Sequence, residues 1–196
     1  MAALDPEFWQ GIYDREGRPG WDMNGRTPVL PELLELAPAL QPPARVAVPG
    51  CGYGHDAAEL ARLGFQVTGL DFAEVALRGA RERHGALVDW RQEDWFAGGA
   101  DGFDAIFDHT CFVAMDPPTR PEYVAACARR LRPGGLWLGV FFHTVTQPGG
   151  PPFAVAMDEV RSLAADAFDI LHLDHASRSH PRRAGREFLL VAQRRL

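Results

Sequence analysis

The sequence contains no lysine: all 20 of its basic Lys/Arg positions are arginine. Such a chain forms no Schiff base with an aldehyde cofactor or substrate, and it has no phosphate-binding lysine for a P-loop. Its cysteines, Cys51, Cys111 and Cys127, are odd in number, scattered and without a CxxC pair. Neither a disulfide framework nor a zinc knuckle is indicated, and a reducing cytoplasm suits the pattern. No apolar run approaches the roughly 20 residues that span a bilayer. The opening Met-Ala-Ala-Leu-Asp-Pro-Glu lacks the basic patch and apolar stretch of a signal peptide, so a soluble, cytoplasmic protein without a membrane partner is expected. Excess positive charge is missing too. A net charge of −6 and a pI near 5.6 oppose attraction to phosphate backbones, which excludes nucleic acid as an expected partner. The local exception is the run Arg178, Arg182, Arg183 and Arg186, which reads as a short solvated turn.

What is present is ordinary globular composition, 46% apolar and 23% charged in 196 residues, enough for one domain with one substantial core. The run Arg-Val-Ala-Val-Pro at 45–49 stops at glycines, and Ala57, Leu60, Ala61 and Leu63 then mark one side of a helix over 55–63. The alternation continues with strand 66–70 and helix 73–83, strand 87–90, strand 103–108 and helix 121–131, then strand 135–142 and helix 155–165. This predicts an α/β fold, a mostly parallel sheet with helices on both faces. Two strand-like runs, 168–174 and 187–193, follow with no helix between them, so a closing antiparallel hairpin is expected. Residues 1–44 contain Phe8, Trp9, Tyr13 and Trp21 and a predicted helix from Pro31 to Leu40. They read as a short N-terminal flap on a core at 45–196 rather than as a second domain. Gly98, Gly99 and Gly102 mark one loop, and residues 148–152 mark another beyond a strand's carboxyl end, where open α/β sheets place ligands.

The strongest local signal is Val-Pro-Gly-Cys-Gly-Tyr-Gly-His-Asp, residues 48–56, at the first strand-to-helix turn. Glycines at 50, 52 and 54 allow a sharp bend and close approach to a ligand. About 20 residues on, Asp71 ends the second strand, where a carboxylate can accept from both hydroxyls of a ribose. A dinucleotide fingerprint would place its third glycine at 55, which is His55; the observed G-x-G-x-G favours S-adenosylmethionine over NAD.

Over nearly its whole length the chain resembles the class I S-adenosylmethionine-dependent methyltransferases, and among them the thiopurine and halide/thiol methyltransferase family. The matching stretches are Phe8-Trp9 with Tyr13 and Gly20-Trp21-Asp22, Pro49-Gly50-Cys51-Gly52, Gly69-Leu70-Asp71, Glu93-Asp94-Trp95-Phe96, residues 103–108, and Gly149-Gly150-Pro151-Pro152-Phe153. The resemblance implies a Rossmann-like seven-stranded sheet with an antiparallel last strand, in agreement with the strand reading. It also implies that Gly50 and Gly52 approach the cofactor, that Asp71, followed by Phe72, holds the ribose, and that Asp94 and Trp95 line an adenine pocket. Trp9, Tyr13 and Trp21 would close over the cofactor. Aromatic faces suit a sulfonium cation, at about 0.5–2 kcal/mol per contact. The alternative for Trp9 and Tyr13 is that they only pack the flap onto the sheet.

His109 departs from the family, which has tyrosine in its halide/thiol branch and arginine in its thiopurine branch at this strand end. A histidine that titrates near neutrality could take the proton of a thiol, whose ordinary pKa is about 8.5, or could serve as a hydrogen-bonded wall. A base role predicts that His109→Ala slows thiols and spares iodide. His143 and Arg120 are further candidates for the acceptor pocket. Cys51, inside the glycine turn, reads as a packing residue rather than a nucleophile. His172, His175 and His180 with Asp174 resemble a metal cluster only in sequence, since His172 and Asp174 share a strand face that His175 does not, and no metal is expected.

The methyl acceptor expected is a small molecule, a soft nucleophile such as a thiol, thiopurine, halide or selenium species. Methylation of oxygen or nitrogen on a small metabolite, or noncatalytic cofactor binding by a regulator, stays open as the alternative.

Overall fold

The computed structural model describes residues 5–147 and 149–196; Pro148, assigned above to a loop, lies outside the described residues. Seven strands, β1 (Arg45–Pro49), β2 (Gln66–Asp71), β3 (Asp89–Gln92), β4 (Phe103–His109), β5 (Leu131–Phe142), β6 (Phe168–His175) and β7 (Glu187–Arg194), form one sheet in the order β3-β2-β1-β4-β5-β7-β6. Strands β1 to β5 pair parallel with one another, and β7 runs antiparallel between β5 and β6. The expected Rossmann-like sheet with an antiparallel last strand is observed. The helices are α1 (Pro6–Glu16), α2 (Leu30–Leu36), α3 (His55–Arg62), α4 (Glu74–His84), α5 (Cys111–Ala114), α6 (Arg120–Arg130) and α7 (Met157–Ala164).

The period-2 pattern of the central strands sorts their side chains into two cores. Ala47, Ile106, Trp137, Phe141, Phe188 and Leu190 face an aromatic layer completed by Phe112 of α5, Tyr123 of α6 and Val160 of α7. Val46, Val48, Phe107, Leu138, Val140, Leu189 and Val191 face an aliphatic layer completed by Leu30 and Leu33 of α2 and Leu60 of α3. A third cluster, Tyr13, Tyr53, Ala73 and Ala76, fixes α1 to α4.

Several boundaries differ from the sequence reading. Helix α2 stops at Leu36 rather than Leu40, because Pro38 disfavours helical backbone at the residue before it and Pro42-Pro43 follows. Strand β3 covers 89–92 rather than 87–90: Leu87 is still in the turn that leaves α4, and pairing with β2 begins only at Thr68↔Asp89. The flap also contains helix α1, which the sequence reading does not predict: Asp5 caps it by accepting from the Phe8 N–H at 2.9 Å, Pro6 occupies its first turn and Gly17 ends it. A bulge between Ile170 and His172 in β6 puts Ile170 and Leu173 on the aromatic side, while His172 pairs with Val191 and His175 with Phe188. No cluster of three or more metal-binding side chains occurs among the described residues, and no described helix is long and apolar enough to cross a membrane.

Gly54 is needed for packing. Its φ is +74°, and a Cβ there would lie 2.3 Å from the Trp90 ring. Gly17, at φ +61°, has open space around its Cβ position. Gly54→Ala is therefore expected to cost about 2–4 kcal/mol, strain plus overpacking, against about 1–2 kcal/mol for Gly17→Ala. Urea unfolding midpoints of the two variants measure the difference.

Candidate active site

Strands β1 and β4 are neighbours, but the chain leaves β1 for α3 on the aliphatic face and leaves β4 for α5 and α6 on the aromatic face. Diverging crossovers open a crevice beyond the two carboxyl ends. All ten nominated residues, Trp9, Tyr13, Trp21, Gly50, Gly52, Asp71, Phe72, Asp94, Trp95 and His109, line the cavity in that crevice.

Its floor is the glycine turn. A Cβ on Gly50 would come within 2.8 Å of Cys111 Sγ, and one on Gly52 within 3.0 Å of the Tyr13 hydroxyl, so larger residues would fill the cradle. Gly54, by contrast, faces Trp90 and not the cavity. The Asp71 carboxylate accepts from Gly52 N–H at 3.0 Å and from Ala73 N–H at 2.9 Å, which ties the turn to the end of β2 and leaves lone pairs free toward the cavity. Burial pushes this carboxyl up to about 6, with the surrounding N–H groups opposing the shift. Cys51 lines the turn with its thiol pushed up by burial, as expected of a protonated packing group.

One wall is Glu93 to Phe96. Asp94 caps a short 3-10 turn by accepting from the Phe96 N–H at 3.0 Å, and Trp95 lies buried beneath. The segment is clamped by Arg130, fully buried in α6, which donates to Glu93 at 2.5 Å, to the Trp95 carbonyl at 3.0 Å and to Asp101 at 2.9 Å. Its guanidinium stacks 4.5 Å from the Trp95 ring. The roof is the flap: Trp9 and Tyr13 meet Trp21 edge-on at 5.5 and 5.8 Å, and the buried Trp9 Nε1–H has no hydrogen-bond partner among the described residues.

The opposite end holds a polar chain that the sequence did not reveal. His109 Nδ1 lies 2.6 Å from Asp56 Oδ2, and His109 Nε2 lies 2.6 Å from Arg183 Nη1. Asp56 also accepts from Thr27 N–H at 2.6 Å. Arg183 reaches buried Glu187 at 3.3 Å and donates to the Trp21 carbonyl at 3.0 Å. Burial alone would raise the Asp56 carboxyl, but His109 and the Thr27 N–H more than offset this and hold it below its ordinary range. Burial pulls the Arg183 guanidinium down, with Glu187 opposing. The arginine run is thus not simply solvated. Arg178 pairs with Glu35 at 2.7 Å, Arg182 holds the flap at the Gly20 carbonyl at 2.9 Å, and Arg183 lines the cavity at 5% exposure.

The other two acceptor candidates lie elsewhere. The His143 ring sits 4.8 Å from His175, with Nε2 donating to the Gly185 carbonyl at 3.1 Å. Arg120 is buried against Glu159 and the Phe153 and Ala154 carbonyls, where it anchors the loop whose Pro151 and Pro152 do line the cavity.

The sequence profile of the thiopurine S-methyltransferase family matches residues 4–192. The protein belongs to that family. It is similar to the probable thiol methyltransferase 2 of Arabidopsis thaliana, 32% identical over 83% of this chain and 74% of that one. The thiocyanate methyltransferase 1 of the same plant is 30% identical over 92% and 82% of the two chains. Its fold also matches the 1,6-didemethyltoxoflavin-N1-methyltransferase of Burkholderia thailandensis, with a TM-score of 0.73 at 21% identity, covering 100% of this chain and 93% of that one.

The chain is accordingly an S-adenosylmethionine-dependent methyltransferase, and its cavity fits that cofactor. It offers a carboxylate with free lone pairs for a diol, aromatic faces for a cation, and a cradle that side chains on Gly50 and Gly52 would fill. Asp71→Asn of this methyltransferase is expected to weaken S-adenosylhomocysteine binding about 10- to 100-fold, the loss of hydrogen bonds to a charged acceptor. Because ionised Asp71 is the better acceptor, wild-type affinity rises with pH through about 6. Calorimetric titration between pH 5 and 8 tests both, and the rise should vanish in Asp71→Asn. Stability runs the other way: the raised carboxyl favours folding below about pH 4, and that contribution is lost as pH climbs through about 6.

Proposed function

We propose that this methyltransferase transfers its methyl group to a small, soft, anionic acceptor, a thiolate, thiopurine, halide or selenium species, admitted at the His109 end of the cavity. The observation that carries the reading is the composition of that end. The Phe142 ring lies 5.4 Å from the buried Arg183 guanidinium that reaches His109, and Met115, Pro151 and Pro152 are further apolar lining of the same cavity. A dry wall lowers the solvation of an entering anion, and the guanidinium supplies the compensating charge. The names of the Arabidopsis relatives, thiol and thiocyanate methyltransferases, point to the same chemistry.

When bound, S-adenosylmethionine supplies an electrophilic methyl on a sulfonium sulfur. Asp71 would accept from the ribose hydroxyls, Asp94 and Trp95 would border the adenine, and Trp9, Tyr13 and Trp21 would offer aromatic faces to the cation. These residues hold the donor so that the acceptor meets the methyl in line, and positioning of that kind contributes up to ~7–11 kcal/mol. His109 borders the acceptor. Residues 1–196 read as one domain, a flap at 1–44 on a Rossmann-like core, and the net charge of −6 disfavours a nucleic acid as acceptor. Free thiols at Cys51, Cys111 and Cys127 suit the cytoplasm.

The test is turnover with S-adenosylmethionine against iodide, hydrosulfide, small thiols, thiopurines, selenite, catechols and amines. Methylation of the sulfur, selenium or halide acceptors is expected. Turnover confined to catechols or amines would overturn the reading.

A further inference from the structure

We infer that Arg183, by donating to the Nε2 lone pair of His109, leaves the acceptor end of the site without a free base, so that the enzyme takes its acceptor already ionised. The inference rests on the proposed acceptor class. It replaces the role of thiol base that the sequence allowed His109.

The argument starts from donor and acceptor inventory. A guanidinium has five N–H donors and no acceptor. At 2.6 Å from Arg183 Nη1, His109 Nε2 must therefore present its lone pair. The ring proton then sits on Nδ1, which donates to Asp56 Oδ2 at 2.6 Å. Both nitrogens are spoken for, and each partner is held from its far side. Asp56 on α3 is fixed by the Thr27 N–H at 2.6 Å, and Arg183 by Glu187 on β7 at 3.3 Å and by the Trp21 carbonyl at 3.0 Å. Rotating the His109 ring to free Nε2 would break charge-assisted bonds at both ends.

Among the described residues, no group bonded to His109 or to its partners replaces it. Asp22 of the flap and His55 of α3 also line the cavity, but they face each other at 3.3 Å, and the His55 ring packs edge-on against His84 at 5.4 Å rather than against His109. Arg182 carries a positive charge toward the Gly20 carbonyl. Burial pushes the Cys111 thiol well up, so it stays protonated. The Asp56 carboxylate is taken by His109 and Thr27, and Asp71 lies at the ribose end. The cavity lining also includes Met23, Thr110, Met115, Phe142, Pro151 and Pro152, none of which is a base.

Transfer to an anion requires no base. The acceptor's lone pair forms the new bond to the methyl carbon, and the electron pair of the breaking carbon–sulfur bond returns to the sulfonium sulfur. One positive and one negative charge cancel, and no proton moves. For a thiol the proton goes to solvent before binding, and Arg183 favours the thiolate that remains. His109 is then a positioning residue, setting where the guanidinium sits.

The first experiment follows kcat/KM against pH for the wild-type enzyme with iodide and with a series of thiols of different acidity. The inflection for each thiol is expected to move one pH unit for each unit in the thiol's own pKa, with iodide showing no such inflection. A single inflection shared by all thiols and lost in His109→Gln would overturn the inference while leaving the acceptor class standing. In His109→Gln, iodide and thiol turnover should fall by the same factor; loss confined to thiols would restore the base. The second experiment reads the ring directly in the protein without cofactor. Nitrogen-15 spectra at neutral pH should show His109 as the Nδ1–H tautomer, and an Nε2–H or averaging ring would sink the idea. If neither iodide nor any thiol is methylated, the proposed function fails, and the tautomer still decides this inference by itself.

Discussion

The site depends on one constraint: β1 and β4 lie side by side, but their following crossovers run to opposite faces of the sheet. Between neighbouring strands whose crossovers share a face, the turns would pack against each other and close the gap. Here the turn after β1 must bend sharply into α3, which is why positive-φ glycines sit at 50, 52 and 54. The chain beyond β4 enters α5 with Asp108 accepting from the Cys111 and Phe112 N–H groups at 2.9 and 3.2 Å. The crevice left between the two turns has backbone on its floor, where Gly50 and Gly52 present no side chain to whatever binds there. Asp71 from β2 closes one side and His109 from β4 the other.

A crevice open above would leave a sulfonium and an anion hydrated and far apart. The flap supplies the roof and is pinned along its length. The Tyr53 hydroxyl holds the Gly17 carbonyl, Arg182 the Gly20 carbonyl, Arg183 the Trp21 carbonyl, and Asp56 the Thr27 N–H. Two of these pins, Asp56 and Arg183, are also the partners of His109. The geometry of the acceptor wall and the closure of the roof are therefore one hydrogen-bonded unit: loosening the flap removes the Trp21 bond from Arg183 and the Thr27 bond from Asp56, the two partners of the His109 ring. Coupling of this sort ties the exclusion of water by the flap to the geometry of the acceptor wall.

Much of this was legible in the sequence, for identifiable reasons. Strand–helix alternation predicted the sheet because the central strands are buried on both faces and read as unbroken apolar runs. The glycine turn and Asp71 were legible because their chemistry is local. The edges were less so: β3 is an edge strand with mostly exposed residues, and nothing in Leu87-Val88 marks the point where pairing starts. The arginine run misled because composition cannot say which side chain turns inward. A turn in which Arg183 N–H bonds the His180 carbonyl at 2.7 Å, and Arg186 N–H the Arg183 carbonyl at 3.1 Å, aims only Arg183 at the cavity. Asp56 was hidden differently, since an acidic residue in the first turn of a helix is common for reasons of the helix dipole alone.

The absence of lysine takes on a different meaning once the buried arginines are compared. Arg120, Arg130 and Arg183 are 2%, 0% and 5% exposed, and each uses its planar fork to hold several acceptors on separate segments. Arg120 joins α6 to the loop before α7, Arg130 joins it to the wall at Glu93–Phe96, and Arg183 joins β7 to the flap and His109. A single ammonium presents a point charge on a flexible stem and cannot span such sets in fixed directions. A lysine buried beside a methyl donor would also tend to lose its proton, and a neutral amine is itself a methyl acceptor. Guanidinium keeps its charge and offers no lone pair. In a site meant to present a methyl to one small anion, the cation that orders the walls must not compete for it, and arginine meets both requirements.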